Sequence, residues 1–242
     1  MGHSGSRARP DAGAAGVTMH YHGTPITPRA VLHQLAGHCF CVSFAAPQDV
    51  TECHRIGQSV MLDNGAFTIW RKGGAIDLAA FRAWSDPWCD YPTTWRVIPD
   101  AIGAGDAAND DLLRAWGADP KGAPVWHLDS SIDRLLRLTE TWPRVCLGSA
   151  GAYRVVGTDA WHARMVEAFN TLSRRGRLPW LHGLRMMAMS GGIYPLASVD
   201  STDVAQNHNR PQNAASAMAR RWDAQQCPGR WTPRAEQPAL IA

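Results

Sequence analysis

The sequence predicts an α/β fold, a (β/α)8 TIM barrel in a single domain. Eight short apolar runs alternate with segments of helical period along 242 residues, the rhythm of parallel strands joined by helices. Several helical segments carry start signals: Thr27 before Pro28, Asp106 in a Gly-Asp step, Ser130 and Ser131 before IDRLLRL, and Thr158 before DAWHARMVEAFN. Most of the apolar runs also end in a polar or ionisable residue, as strands do where a barrel opens its C-terminal mouth. An open doubly wound sheet is the competing architecture.

Taken in order, the first strand is expected near 18–22 (TMHYH) and its helix over 28–36. The second strand is CFCVSF at 39–44 with a helix over 48–56, and the third is SVMLD at 59–63 with a helix over 77–85. WRVIP at 95–99 leads to a helix over 106–116, and PVWHL at 124–128 leads to one over 131–141. RVCLG at 144–148 precedes the long helical period of 158–175, and WLHGLR at 180–185 precedes a short helical piece near 190–194. ASVD at 197–200 and a helix over 211–225 complete the series. Residues 1–16 are rich in Gly, Ala, Ser and Arg without an apolar core, so they read as a disordered leader and not a secretion signal. The barrel is expected over 17–228, with a C-terminal tail over 229–242.

With 45% hydrophobic and 19% charged residues the chain can bury a full core. A formal net charge of +3 permits contact with a polyanion without demanding one. Six cysteines at 39, 41, 53, 89, 146 and 227 form no C-x-x-C pair, which predicts reduced, mostly buried thiols in a cytoplasmic protein and no structural zinc cluster. No apolar stretch approaches the roughly 18 residues of a membrane span, so a soluble protein is expected.

The polar residues at strand ends are His20 and His22, Ser43, Asp63, Asp100, His127 and Asp129, Ser149, His182 and Arg185, and Asp200. Such groups are costly inside a barrel and read as the lining of a pocket at its mouth. A single aspartate at a strand end is explained by turn and cap chemistry alone. Asp63, Asp100 and Asp200 together favour a functional reading. Two carboxylates facing a glycosidic bond support displacement at the sugar carbon, one attacking and one moving the proton of the leaving group. A third can accept from the adjacent ring N–H and amino donors of guanine. Glycines in DNGAF, CLGSAG and LHGLR would let backbone approach a flat ligand, although ordinary turn chemistry explains any one of them equally well.

These residues resemble the guanine transglycosylases, which include the queuine tRNA-ribosyltransferases and the phage DNA deazaguanine transglycosylases. LDNGAF is similar to the family's Asp-Ser-Gly-Gly-Phe strand end, SVDSTD to its nucleophile strand and GSAG to its Gly-Gly-Leu loop, in the same order along the chain. The resemblance implies Asp200 as a nucleophile that forms a covalent glycosyl enzyme and Asp63 as general acid/base. It assigns Asp100, with Asn64, to the base, and places His127 where the family often has a base-contacting glutamine. Gly148 and Ser149 would offer backbone N–H groups to the base carbonyl, and His182 would wall the pocket. No cofactor is implied.

The tRNA enzymes carry a Cys-x-Cys-x-x-Cys plus His zinc site after the nucleophile strand, and here only Cys227 follows Asp200. No metal is therefore expected, and the shortened pattern looks more like the phage-type members that exchange guanine in DNA for a 7-deazaguanine of the preQ0 type. The implied partners are DNA more than tRNA, the free 7-deazaguanine base and companion DNA-modification proteins, in the host cytoplasm for a phage-encoded chain. Arg185, Asn207, His208 and Arg210 would contact nucleic acid, whereas Arg220 and Arg221 read as a solvated helix face.

Two other readings remain. HYH places His20 and His22 on one strand face, a pattern suited to a metal-dependent amidohydrolase-like barrel that would add His127, His182 and Asp200. A binding protein that kept the barrel and lost turnover would not need both Asp63 and Asp200. Of the eleven tryptophans, most fit helix packing, and Trp70 and Trp126 are the candidates for the pocket.

Overall fold

A computed structural model describes residues 17–176 and 178–235. The anticipated leader at 1–16 and the last residues of the anticipated tail, 236–242, lie outside them.

Every strand pairing is parallel, in the order β5-β4-β3-β2-β1-β9-β8-β7-β6. The strands are β1 (Met19–Gly23), β2 (Cys39–Ser43), β3 (Ser59–Asp63), β4 (Thr94–Val97), β5 (Gly122–Ala123), β6 (Val125–His127), β7 (Arg144–Gly148), β8 (Trp180–Gly183) and β9 (Ser198–Ser201). β5 and β6 are two halves of one stave, interrupted where Pro124 has no N–H to give a ladder. β5 pairs with β4 and β6 with β7, while the Pro124 carbonyl accepts from Cys146 N at 2.8 Å. That shared stave closes a (β/α)8 barrel at the eight positions the sequence anticipates.

The helices are α1 (Arg29–His33), α2 (Val50–Ile56), α3 (Ala66–Arg71), α4 (Leu78–Cys89), α5 (Gly105–Trp116), α6 (Ile132–Thr141), α7 (Asp159–Arg174), α8 (Asp203–Asn207) and α9 (Ala215–Asp223). Of the expected start signals, Ser131 and Thr158 cap their helices, accepting from Arg134 N and Trp161 N, and Asp77 caps α4 by accepting from Ala80 N. Thr27 and Asp106 do not cap: α1 starts after Pro28, and Asp106 sits inside the first turn of α5 and accepts from Ser131 Oγ. The helix expected near 190–194 is absent; a 3-10 turn at Met187–Met189 gives way to bends, and Gly191 takes a φ of +75° that ends helical geometry. α3 and α8 were not anticipated. None of the helices is long and apolar enough to cross a membrane among the described residues.

Side chains sort cleanly between the two faces of the barrel wall. Tyr21, Cys39, Cys41, Met61, Trp95, Val97, Ala123, Val125 and Cys146 pack together inside it. Their strand neighbours Phe40, Val42, Val60 and Leu62 pack outward with α9, and Trp126, Val145, Leu147 and Leu181 pack outward with α6 and α7. All six cysteines are free, and burial pushes the Cys39 thiol up to about 12. Packing continues past residue 228: Trp231 is buried beside Phe169 and Tyr194 and donates to Asn170 Oδ1 at 2.9 Å.

Candidate active site

The inner face of the barrel is blocked low down by aromatic rings. The Tyr21 hydroxyl accepts from Trp95 Nε1 at 2.8 Å and shares a hydrogen bond with Ser59 Oγ at 2.9 Å, while Trp95 and Trp180 meet edge to face. The His182 ring rests against Tyr21, Trp95 and Trp180. Above this plug sit Cys41 and Cys146, whose thiols are raised first by burial and then by nearby carboxylates. For Cys146 those carboxylates are Asp200, Asp100 and Asp63 together. The three aspartates singled out in the sequence thus converge over one floor.

Asp63 ends β3 beside Ser43, its register partner on β2. Its Oδ2 accepts from Gly65 N at 3.0 Å, the local turn expected of an Asp before Asn-Gly. Its carboxyl is raised to about 6, by burial first and by Asp200 second, against the opposing pull of hydrogen bonds from Ser43 and Gly65. Gly65 has a φ of +72°, and a Cβ there would lie 2.9 Å from Ala45 N. Gly65→Ala is therefore expected to cost roughly 1–3 kcal/mol and to displace Asp63. Urea unfolding checks the first effect, and loss of activity at temperatures where the variant is folded checks the second.

Asn64 joins β3 to the next stave. Its Nδ2 donates to Ile98 O at 2.9 Å and Asp100 Oδ1 at 2.7 Å, and its Oδ1 accepts from Ala66 N at 2.8 Å, starting α3. On the other side of Asp100, His127 Nε2 lies 2.9 Å from Oδ2. Asp100 is thus held on Oδ1 by a hydrogen bond from Asn64 and approached on Oδ2 by the His127 ring, whose Nε2 lacks hydrogen-bond geometry to it, leaving lone pairs on both oxygens for a ligand. Gly148 makes room for this arrangement, since a Cβ there would lie 3.1 Å from His127 Nδ1. Asn64→Ala removes a buried donor shared by two acceptors and is expected to cost about 1–3 kcal/mol, read by thermal unfolding.

Asp200 lies on β9 in register with Tyr21, and so points inward. Its Oδ1 accepts from Arg185 N at 2.8 Å and lies 3.1 Å from His182 Nε2. His182 Nδ1 meets Ser198 Oγ at 2.7 Å, so with Nε2–H given to the carboxylate the Ser198 hydroxyl is the donor to Nδ1. Both contacts fall on Oδ1. Arg185 is the described non-glycine residue with positive φ, +57°, a conformation held by packing around the site. Its guanidinium lies over the Phe67 ring at 4.0 Å, and Phe67 leans on Trp70, so a cation and two exposed rings stand at the rim.

Several expected residues lie elsewhere. His20 and His22 do share a strand face, but it is the outer one: they flank the inward Tyr21 and meet Ser190, His38 and Asp223. They cannot join His127, His182 and Asp200 in one inner metal set, because successive side chains on a strand point to opposite faces. The Ser149 side chain also faces outward and accepts from Trp161 Nε1 at 3.0 Å, leaving only its main chain for the mouth. Trp126 is buried under α6, its Nε1 donating to Ser131 O, whereas Trp70 is 52% exposed. At the end of α8, Asn207 donates to Asp203 Oδ1 and His208 Nδ1 to Val204 O, and Arg210 is exposed just beyond it.

Sequence reasoning did not find Phe67, which pairs with Arg185 at the rim, or Ser198, which orients His182. Ser198 was legible as the residue two positions before Asp200 on the same strand face. No protein-family model, no curated protein and no solved structure matches this chain.

Proposed function

We propose that the chain is a guanine transglycosylase that replaces guanine in DNA with a 7-deazaguanine through a covalent glycosyl-aspartate. The observation that carries this reading is the convergence of three carboxylates in three different environments at one barrel mouth. Asp63 is partly buried with its carboxyl raised to about 6, which keeps part of it protonated near neutrality. Asp200 is held through one oxygen by a backbone N–H and an imidazole. Asp100 accepts from Asn64, with the His127 ring 2.9 Å from its other oxygen.

Chemistry follows from those environments. Asp200 attacks the anomeric carbon, and the bond to guanine N9 breaks with its electrons passing to the base. Asp63 gives its proton to the departing guanine and becomes the carboxylate. The incoming 7-deazaguanine returns a proton from its ring nitrogen to Asp63, and that nitrogen attacks the sugar carbon and displaces Asp200. Protons and charge balance between the two carboxylates. Asp100 accepts from the ring N–H and amino group of either base, which makes the site symmetric toward leaving and entering purines.

A base inside a duplex hides its sugar carbon, so the target nucleotide must be extruded. Phe67, Trp70 and Arg185 at the rim offer the stacking surface and positive charge that an extruded nucleotide needs. The test is incubation of the purified protein with labelled guanine and either DNA or tRNA. Label is expected in DNA; label in tRNA alone would overturn the choice of substrate, and label in neither would overturn the reading.

A further inference from the structure

Outside the barrel wall lies a second group of ionisable side chains that base exchange does not use. We propose that His22, His38 and Asp223 bind a divalent transition-metal ion, zinc by ligand type, with His20 completing or flanking its coordination shell.

The donors come from distant parts of the chain. His20 and His22 project from the outer face of β1, His38 immediately precedes β2, and Asp223 is the last residue of α9. One donor atom from each of His22, His38 and Asp223 lies within 4.8 Å of the others. His22 Nε2 is 3.4 Å from Asp223 Oδ1, His38 Nδ1 is 2.5 Å from Oδ2, and His20 Nδ1 is 3.8 Å from Oδ1. Donors on a tetrahedral ion with bonds of about 2.0–2.1 Å are about 3.3 Å apart, so small side-chain rotations bring this set to bonding distance.

Unsatisfied polar atoms provide the independent observation. The side chains of His20 and His22 are fully buried. Neither ring nitrogen of His22 has a hydrogen-bond partner of proper geometry, and His20 Nδ1 and Asp223 Oδ1 have none either. These four buried atoms would each forfeit a hydrogen bond's worth of solvation. A cation satisfies His22 Nε2, His20 Nδ1 and Asp223 Oδ1 together, and leaves His22 Nδ1 to carry the ring proton.

Ligand chemistry selects the ion. Imidazole nitrogens with one carboxylate oxygen suit zinc and its borderline neighbours, whereas magnesium and calcium prefer oxygen throughout. His20 Nε2 lies 2.9 Å from Ser190 Oγ, which fixes the ring as outer-sphere partners of metal-bound histidines do. The ion would tie the first strand, the turn before the second strand and the last helix, so its role is to clamp the two ends of the barrel together. It sits on the face of β1 opposite Tyr21 and Asp200, outside the exchange site.

The experiment uses the full chain purified without metal-chelate chromatography. Elemental analysis is expected to find stoichiometric zinc, and X-ray absorption to show nitrogen and oxygen neighbours with imidazole scattering and no sulfur. Chelation is expected to lower the melting temperature by roughly 5 °C or more, reversed by added zinc. His22→Ala should lose the metal; if it does not fold, His38→Gln, at the half-buried edge of the group, should weaken binding and the cobalt(II) ligand-field spectrum. A sulfur-containing shell would overturn the assignment. So would a metal-free protein whose melting temperature ignores both chelator and zinc, which would mean a carboxylate–imidazole network alone.

Discussion

Asp200→Asn is expected to lower base exchange by roughly 10⁴-fold or more while leaving the fold intact. The amide is close in shape to the carboxylate and keeps an oxygen to accept from Arg185 N and His182 Nε2, so the contacts that orient it survive. It cannot serve as the nucleophile. Single-turnover exchange should collapse while binding of DNA and of the free base changes little, and thermal unfolding should be nearly unchanged. A variant that retained full exchange would place the nucleophile elsewhere.

Asp63→Asn is expected to divide stability from activity. The folded carboxyl titrates at about 6 against an ordinary value of 3.8, raised by burial and then by Asp200. A raised acid contributes stability that is fully present below pH 3.8 and is lost as pH rises through about 6, because the folded site then holds a partly desolvated anion beside another. The neutral amide removes that penalty. The variant should therefore be more stable than the parent by about 1–3 kcal/mol at pH 8, with the difference vanishing near pH 3. Exchange should fall by roughly 10²–10⁴-fold, the usual contribution of a positioned proton carrier. Paired urea titrations at the two pH values measure the first effect and single-turnover rates the second. A destabilised variant at pH 8 would show that Asp63 is held by its hydrogen bonds to Ser43 and Gly65 and not strained by burial.

The strands were legible because each apolar run is short, bounded and followed by a helical segment. The ends of those runs drew attention to Asp63, Asp100 and Asp200, which the structure brings together around Cys146 inside the barrel. Which face of β1 carries the histidines was not legible. In MHYHG both faces of the strand are buried, one by the barrel interior and one by the helical layer, so alternation gives no sign of which is inner. Register with Asp200 decides it, and that register involves residues 179 positions apart, as Tyr21 and Asp200 show.

α3 was missed for a different reason. Asn64-Gly65 reads as the end of structure, but Asn64 Oδ1 accepts from Ala66 N in a tight turn and Gly65, the N-cap in the left-handed region, turns the chain directly into a helix. That helix brings Phe67 to the rim beneath Arg185, a contact across 118 positions that no local pattern encodes. The cluster of His22, His38 and Asp223 was hidden in the same way. Its consequence is that bound zinc alone no longer argues for a hydrolase, because the histidines that would hold it face away from Asp200.

The decisive measurement is capture of the covalent intermediate. Protein mixed with labelled DNA, denatured and digested, should yield one peptide spanning Ser198–Ser201 that carries a nucleotide sugar on Asp200. The adduct should disappear in Asp200→Asn and on addition of excess free guanine. A sugar found on Asp63, or base exchange that proceeds with no protein adduct at any time, would contradict the assignment of Asp200 as the attacking group.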